Sequence, residues 1–540
     1  MPRGTSPLVP VCALLVAGCW SPAWQRRSAD EQVYPLLEQT ALAVTGQPKV
    51  FRIERPVDTL RRRLIESPAP VQLSLLDALD VAAENSREYQ RQKEQLYLAA
   101  LNLTRNQHDF ELRWGGGGSA EVSGTDDDSA FVTFSEDLGA AITTISGARL
   151  VASFVNSFLR SVISGDGFDG SSILDLTFTQ PLLRGAGARI VREPLTQAER
   201  DLVYQMRAFE RFRATFAVQV VSDYYGVVQQ IQNLQNVDAN YESVRQGRVR
   251  TEEEFGAGRK TISDLGREQQ SELTAESNRV RTQNQLQSQL DRFKLTLGLP
   301  VTATVELDPA ELERLAARGV VPPDLAEDAA IALALDRRYD HRTVLDEVED
   351  QSRRVAVAED ALGMALDFRG VLSVPGRQGS SANLDWSQVD WAAGFDLDLA
   401  LDKLAERNAY RSALIALDAQ IRAREQSADA IAADVRTALR DIRSAYDTYR
   451  IQLEAVKVAE TRVESTTELY AAGRTQALEV LDAKDSLLAS QLNLTAAVVD
   501  YAIARLELLR DLEGLSLEPK GLRFDPALPV PAARPTEESP

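Results

Sequence analysis

Phe255-Gly-Ala-Gly-Arg-Lys-Thr-Ile-Ser-Asp-Leu265 and Tyr470-Ala-Ala-Gly-Arg-Thr-Gln-Ala-Leu-Glu-Val480 are one turn written twice, 215 residues apart. Aromatic, small residue, glycine and arginine recur in register, and Asp264-Leu265 answers Glu479-Val480. Further on, Leu273 matches Leu488 and Asn278 matches Asn493. Upstream, Leu75-Leu-Asp-Ala-Leu-Asp-Val-Ala-Ala83 resembles Leu325-Ala-Glu-Asp-Ala-Ala-Ile-Ala-Leu333. Self-similarity at a fixed spacing marks a duplicated architecture. Each half reads as helix, two or more strands, long helix, tight turn, shorter helix.

The helices lead into these turns and out of them. From Leu202 through Phe216, Tyr224, Ile231 and Val237 to Val244, apolar residues recur every 3.5 positions on average, a coiled-coil period. Such a helix over about 190–255, roughly 65 residues, is about 100 Å long by rise alone. Its counterpart runs from Leu404 to Tyr470. Shorter helices are expected over 73–112, 262–297, 325–366 and 478–512, stopped by glycine at 115, 298 and 514.

Between the helices the period changes to two. In Ser172-Ile-Leu-Asp-Leu-Thr-Phe-Thr179, Leu174, Leu176 and Phe178 share one face, while Asp175, Thr177 and Thr179 share the other. In Trp391–Asp402, Phe395, Leu397, Leu399 and Leu401 oppose Asp396, Asp398 and Asp402. Strands are therefore expected within 115–182 and 367–402. Phe131–Phe134 and Ala148–Phe154 offer two more in the first half. An acidic strand face suits a water-filled lumen and an apolar one suits lipid. Open sheet edges are not tolerated in a bilayer, so strands too few to close a barrel alone call for several protomers.

Composition narrows the function. The 540 residues carry a net charge of −20, which argues against a nucleic-acid partner. With only His108, His341, Cys12 and Cys19 available, a zinc site or a Ser-His or Cys-His nucleophile has almost no residues to draw on. No phosphate-binding glycine loop is present. The reading is of a protein that is no enzyme and needs no cofactor or metal.

The first residues read as an address. Arg3 precedes an apolar run from Leu8 to Val16, and Val16-Ala-Gly-Cys19 resembles the lipobox of a bacterial lipoprotein. That resemblance implies a signal over 1–18 and lipid on Cys19; an ordinary secretory signal is the alternative. Residues 19–70 are then a lipid-anchored lead, extended with at most one short helix because of prolines such as Pro22, Pro35, Pro56, Pro68 and Pro70. The two repeats occupy 71–300 and 301–515, and 516–540 form a Pro-rich, disordered tail.

With these elements in order, the chain resembles the TolC family of outer-membrane efflux proteins over roughly 70–515. The resemblance is carried by Phe178-Thr-Gln-Pro-Leu-Leu-Arg-Gly185, by Phe395-Asp-Leu-Asp-Leu-Ala-Leu-Asp-Lys-Leu-Ala-Glu-Arg-Asn408, and by the turns from Gly258 to Leu265 and from Gly473 to Ala483. It implies a mainly α fold with membrane β-strands: a homotrimer whose protomers give four strands each to a 12-stranded barrel, continuous with a periplasmic α-helical barrel. It also implies an outer-membrane setting, a periplasmic adaptor and an inner-membrane pump as partners, and passive export in efflux or type I secretion.

In the family the two turns lie at the periplasmic tip. Glu479 and Asp482 fall at its acidic constriction, with Asp264 as the first-repeat equivalent. Gly258, Arg259, Gly473 and Arg474 form the tip turns and candidate adaptor contacts. The family's arginine often lies two residues past the tip glycine, whereas Arg474 is adjacent to Gly473. A lipid-anchored coiled-coil scaffold without a pore is the competing reading.

Overall fold

The computed structural model describes residues 21–524, apart from 68, 126–128, 162–168, 318, 322–324, 378–382, 400 and 519–520. Residues 1–18, Cys19 and the tail beyond 524 lie outside the described residues. In chain order the elements are α1 (Pro22–Thr45), α2 (Leu60–Glu66), β1 (Val71–Leu73), α3 (Leu75–Asn85), α4 (Arg87–His108), β2 (Arg113–Thr125), β3 (Ser129–Thr143), β4 (Arg149–Ser161) and β5 (Asp169–Pro181). There follow α5 (Ala188–Val191), α6 (Glu193–Gly256), α7 (Ile262–Thr296), β6 (Val305–Leu307), α8 (Ala310–Ala317), α9 (Glu327–Arg337) and α10 (Tyr339–Asp360). The series ends with β7 (Ala365–Pro375), β8 (Asp390–Asp398), α11 (Leu404–Ala471), α12 (Ala477–Asp511), β9 (Leu515–Glu518) and β10 (Gly521–Phe524). Helices of 11 and 22 residues, strands, then helices of 64 and 35 residues are followed by helices of 11 and 22, strands, and helices of 68 and 35.

Two compact units divide the chain. The first comprises Met1–Phe51, Gln95–Met206 and Thr343–Arg424. Its centre is one antiparallel sheet in the order β2-β3-β4-β5-β7-β8. The resemblance implied four strands from each protomer; six are present. The first half supplies four of them, β2 to β5, and the second half two, β7 and β8. Gly115–Gly118, read from sequence as a helix terminator, pairs instead with Gly139–Glu136 of β3.

Alternation and register give the sheet two unlike faces. Trp114, Val122, Phe134, Leu138, Leu150, Phe154, Leu176, Phe178, Leu372, Trp391 and Phe395 share one face. The other carries Ser119, Glu121, Thr133, Asp137, Ser153, Asp175, Thr177, Arg369, Asp396 and Asp398. Glu136 and Asn156, opposite each other, are a polar pair within the apolar face. The apolar face is bare on the edge strands, where Trp114 is 70% exposed, Trp391 76% and Phe395 66%, while Val374 of the same face is buried. The Asp-lined strand stops at Asp398, so Leu399, Leu401 and Asp402 lie beyond it.

The lead segment departs most from expectation. Residues 22–45 form a helix, not an extended chain. Ser21 caps it, and Pro22 sits at its first turn, where no backbone donor is needed. Pro35 lies inside the helix with its ring exposed. The lost hydrogen bond and ring clash cost about 3 kcal/mol or more. Burial of Val33, Tyr34, Leu37 and Ala41 on the opposite side offsets it, at about 1.5–3 kcal/mol for each large apolar chain. That side meets α4, where Tyr97 stacks edge-on with Tyr34 and donates its hydroxyl to Asp30 at 2.6 Å. Elsewhere in this unit, Asp350 is only 2% exposed and is satisfied by Arg200 (2.8 Å), Arg353 (2.9 Å) and the Tyr204 hydroxyl (2.7 Å).

The second unit comprises Arg52–Glu94, Arg207–Arg342 and Glu425–Pro540. Parallel pairing of β1 with β6 joins the starts of the two repeats, Val71 to Val305 and Leu73 to Leu307. Around this pair packs a core in which Tyr224, Val227 and Val228 of α6 meet Phe293 of α7, Ile431 and Leu439 of α11 and Leu508 and Leu509 of α12. The expected helix over 73–112 is broken at Ser86, where the Asn85 side chain bonds back to the Val81 carbonyl and accepts from Arg61 N–H. Its counterpart is broken at Arg338, whose buried guanidinium holds Asp340 at 2.7 Å and Asp434 at 3.1 Å. The tail was expected to be disordered from 516, but Leu515–Glu518 pairs antiparallel with Gly521–Phe524.

Leu37→Ala is expected to cost about 2–5 kcal/mol locally. Hydrogen exchange across Pro22–Thr45 should become at least ~10-fold faster, with exchange in the sheet unchanged.

Candidate functional site

The two turns close by the same hydrogen bonds. At the end of α6, Gly258 N–H donates to the Phe255 carbonyl and Arg259 N–H to that of Glu254. At the end of α11, Gly473 N–H donates to Tyr470 and Arg474 N–H to Leu469. Gly258 and Gly473 sit at φ 73° and 69°, the left-handed conformation that closes a helix and that side chains resist. Arg259 and Arg474 are therefore equivalent residues with exposed side chains.

The exits from the turns differ. Thr261 caps α7 in a reciprocal box: its hydroxyl accepts from Asp264 N–H, and the Asp264 carboxylate accepts from Thr261 N–H (3.1 Å) and hydroxyl (2.7 Å). Hydrogen bonds from the Thr261 side chain and backbone hold the Asp264 carboxyl below the usual range. Asp264 thus serves its own helix end. In the second repeat Gln476 replaces Thr261 and makes no side-chain cap, and Glu479, which replaces Asp264, stays exposed. Asp482, one turn further along α12, is bound by the Arg462 guanidinium of α11. Val480 and Ala483, on the opposite side, are buried and hold the carboxylates outward.

Sequence reasoning missed three contacts here. Arg462 lies 11 residues before Gly473 and Asp482 nine after it, so a hairpin folded at the glycine brings them level. Lys260 of the first turn places its ammonium 4.2 Å from the centre of the Tyr470 ring, tying one turn to the other. Glu268 of α7 is buried beside Gly247, where a Cβ would stand 3.3 Å from its Oε2. Burial pushes the Glu268 carboxyl up and the Lys484 ammonium down, although each charge favours the other. Among the described residues, no cluster of three His, Cys, Asp or Glu side chains could hold a metal ion. His341 is buried and meets the Ser427 hydroxyl at 3.1 Å, linking α10 to α11. The site's chemistry is that of carboxylates and arginines on a helical hairpin, which bind cations or a charged protein surface.

Residues 330–512 match the family described as outer membrane efflux protein. Three solved structures share the fold. The outer-membrane channel OprN is 16% identical, with a TM-score of 0.60 over 86% of this chain and 94% of that one. The CmeC outer-membrane channel of Campylobacter jejuni is 13% identical, with a TM-score of 0.61 over 84% and 87%. The outer-membrane protein VceC of Vibrio cholerae is 15% identical, with a TM-score of 0.61 over 81% and 95%. At such identities the likeness is one of fold. No curated protein matches the chain by sequence. The resemblance to the TolC family is met by both the family match and the fold.

The unequal caps have a pH signature. A depressed carboxyl contributes stability that is present above its unfolded value and lost as pH falls through the folded one. Intrinsic-rate-corrected hydrogen exchange at Ile262–Leu265 should therefore accelerate on acidification, while that at Ala477–Val480 does not. Thr261→Ala should abolish the difference.

Proposed function

We propose that this chain, an outer membrane efflux protein by the family its second half matches, is the passive outer-membrane channel of an efflux or type I secretion system. It works as a homotrimer, with Cys19 as lipid anchor, strands in the outer membrane and helices in the periplasm. The observation that carries this reading is the continuous sheet with one mainly apolar face, exposed at Trp114, Trp391 and Phe395, and one mainly polar face. Such a sheet suits lipid on one side and a water-filled lumen on the other. A coiled-coil scaffold without a pore would leave that apolar face in water, where exposed patches of this kind associate or aggregate.

Energy for transport comes from a partner: an inner-membrane pump reached through a periplasmic adaptor. Arg259 and Arg474 are the candidate adaptor contacts, since both are exposed at the tips of the helical hairpins. Gating is assigned to Glu479 and Asp482. Three copies bring six carboxylates around one axis, a ring that concentrates cations and binds divalent ions. Arg462 pairs with Asp482 across the hairpin. Asp264, occupied in its cap, contributes to turn stability rather than to the ring.

Replacing both Glu479 and Asp482 by Ala should raise single-channel conductance in planar bilayers and weaken block by divalent cations. Unchanged conductance and block would remove the gate assignment. Photocrosslinkers at Arg259 and Arg474 should capture a periplasmic adaptor in cells; capture from no tip residue counts against docking there.

A further inference from the structure

We infer that all six strands of each protomer enter the barrel, so that the trimer closes as 18 strands through pairing of β2 with β8 of the next copy. This rests on the channel reading above and goes beyond it in strand number and seam.

The sheet leaves two edges: β2 pairs only with β3, and β8 only with β7. In hydrocarbon each unpaired backbone group costs several kcal/mol, and a second copy offers the missing partners. The mainly apolar face and the mainly polar face both continue from β2 to β8, interrupted by the polar pair Glu136 and Asn156, so β2–β3 has the same lipid and lumen sides as the rest. Six is an even number, so β8 meets the next β2 antiparallel, as closure of an antiparallel barrel requires.

Geometry sets the register. One row of register partners runs Trp114, Ala140, Ala152, Leu176, Leu372, Trp391. Trp114 is one residue from the helix-side end of β2, and Trp391 is seven from that of β8. The row thus climbs six residues across each copy. With Asp398 level with Arg113 of the next copy, shear equals strand number and the strands tilt by about 35°. A two-residue shift gives about 43°, still within the usual range. In the first register Phe395 covers Gly116, in the second Gly118. Either way, the row of Phe178, Phe368 and Phe395 extends over a glycine edge, a pairing that stabilises such edges. The first register also brings Arg113, paired with Asp109, beside Asp398, paired with Arg184. It sets Asp390 opposite Glu121 at the far end of the lumen face. Barrel diameter grows roughly linearly with strand number, so this barrel is about 1.5 times as wide as a 12-stranded one.

The test is disulfide trapping in outer membranes, with single-channel conductance measured on the same variants. Phe395→Cys combined with Gly116→Cys or Gly118→Cys should give covalent trimers in at least one pair. Phe395→Cys with Ala152→Cys should give none, because that link needs β4 at the seam of a 12-stranded barrel. Trimers trapped through Ala152 but not through Gly116 or Gly118, in a conducting protein, overturn the inference and leave the channel reading intact. Absence of conductance and of every cross-link removes both.

Discussion

A peptide group in hydrocarbon has only another peptide group to bond. In the proposed channel the sheet of this protein answers that constraint. Among the described residues its six strands pair in one continuous order and leave open edges along β2 and β8. Its side chains sort by face, with Trp114, Phe134, Phe178 and Phe395 on one side and Asp175, Asp396 and Asp398 on the other.

The helical parts show how a duplicated unit diverges. Both halves keep the glycine that reverses the chain and the hydrogen bonds that close the turn. The first half then seals its exit with Thr261 and Asp264, whereas the second leaves Gln476 uncapped and Glu479 exposed. The positions equivalent to Arg462 and Asp482 are Gly247 and Arg267. Glycine at 247 leaves room for the buried Glu268. One copy of the hairpin has thus become a packed support, while the other keeps carboxylates and arginine at its surface.

Much of this was legible in the sequence. The 3.5-residue period gave the long helices nearly to their ends, and Gly258 and Gly473 marked the turns. Asp264 and Glu479 were aligned by register with the repeat, but only the structure distinguished a capping Asp264 from an exposed Glu479. Gly115–Gly118 was misread because residues without side chains carry no alternation. The lead helix was missed because proline was taken as a breaker, although Pro22 occupies a position that needs no N–H and Pro35 is held by the residues around it. The Arg462–Asp482 tie required the hairpin itself, since no local pattern joins residues 20 apart.

The hairpin β2–β3 lies between α4 and β4 in the first half, and β7–β8 stands alone in the second. A single inserted strand would reverse the direction of every strand after it and leave its helix emerging on the wrong side of the membrane. A hairpin enters and leaves on the same side, so the rest of the chain keeps its orientation. Pores of the proposed design can therefore change calibre in evolution only in two-strand increments, and the four strands between α4 and α6, against two between α10 and α11, have the form of one such increment.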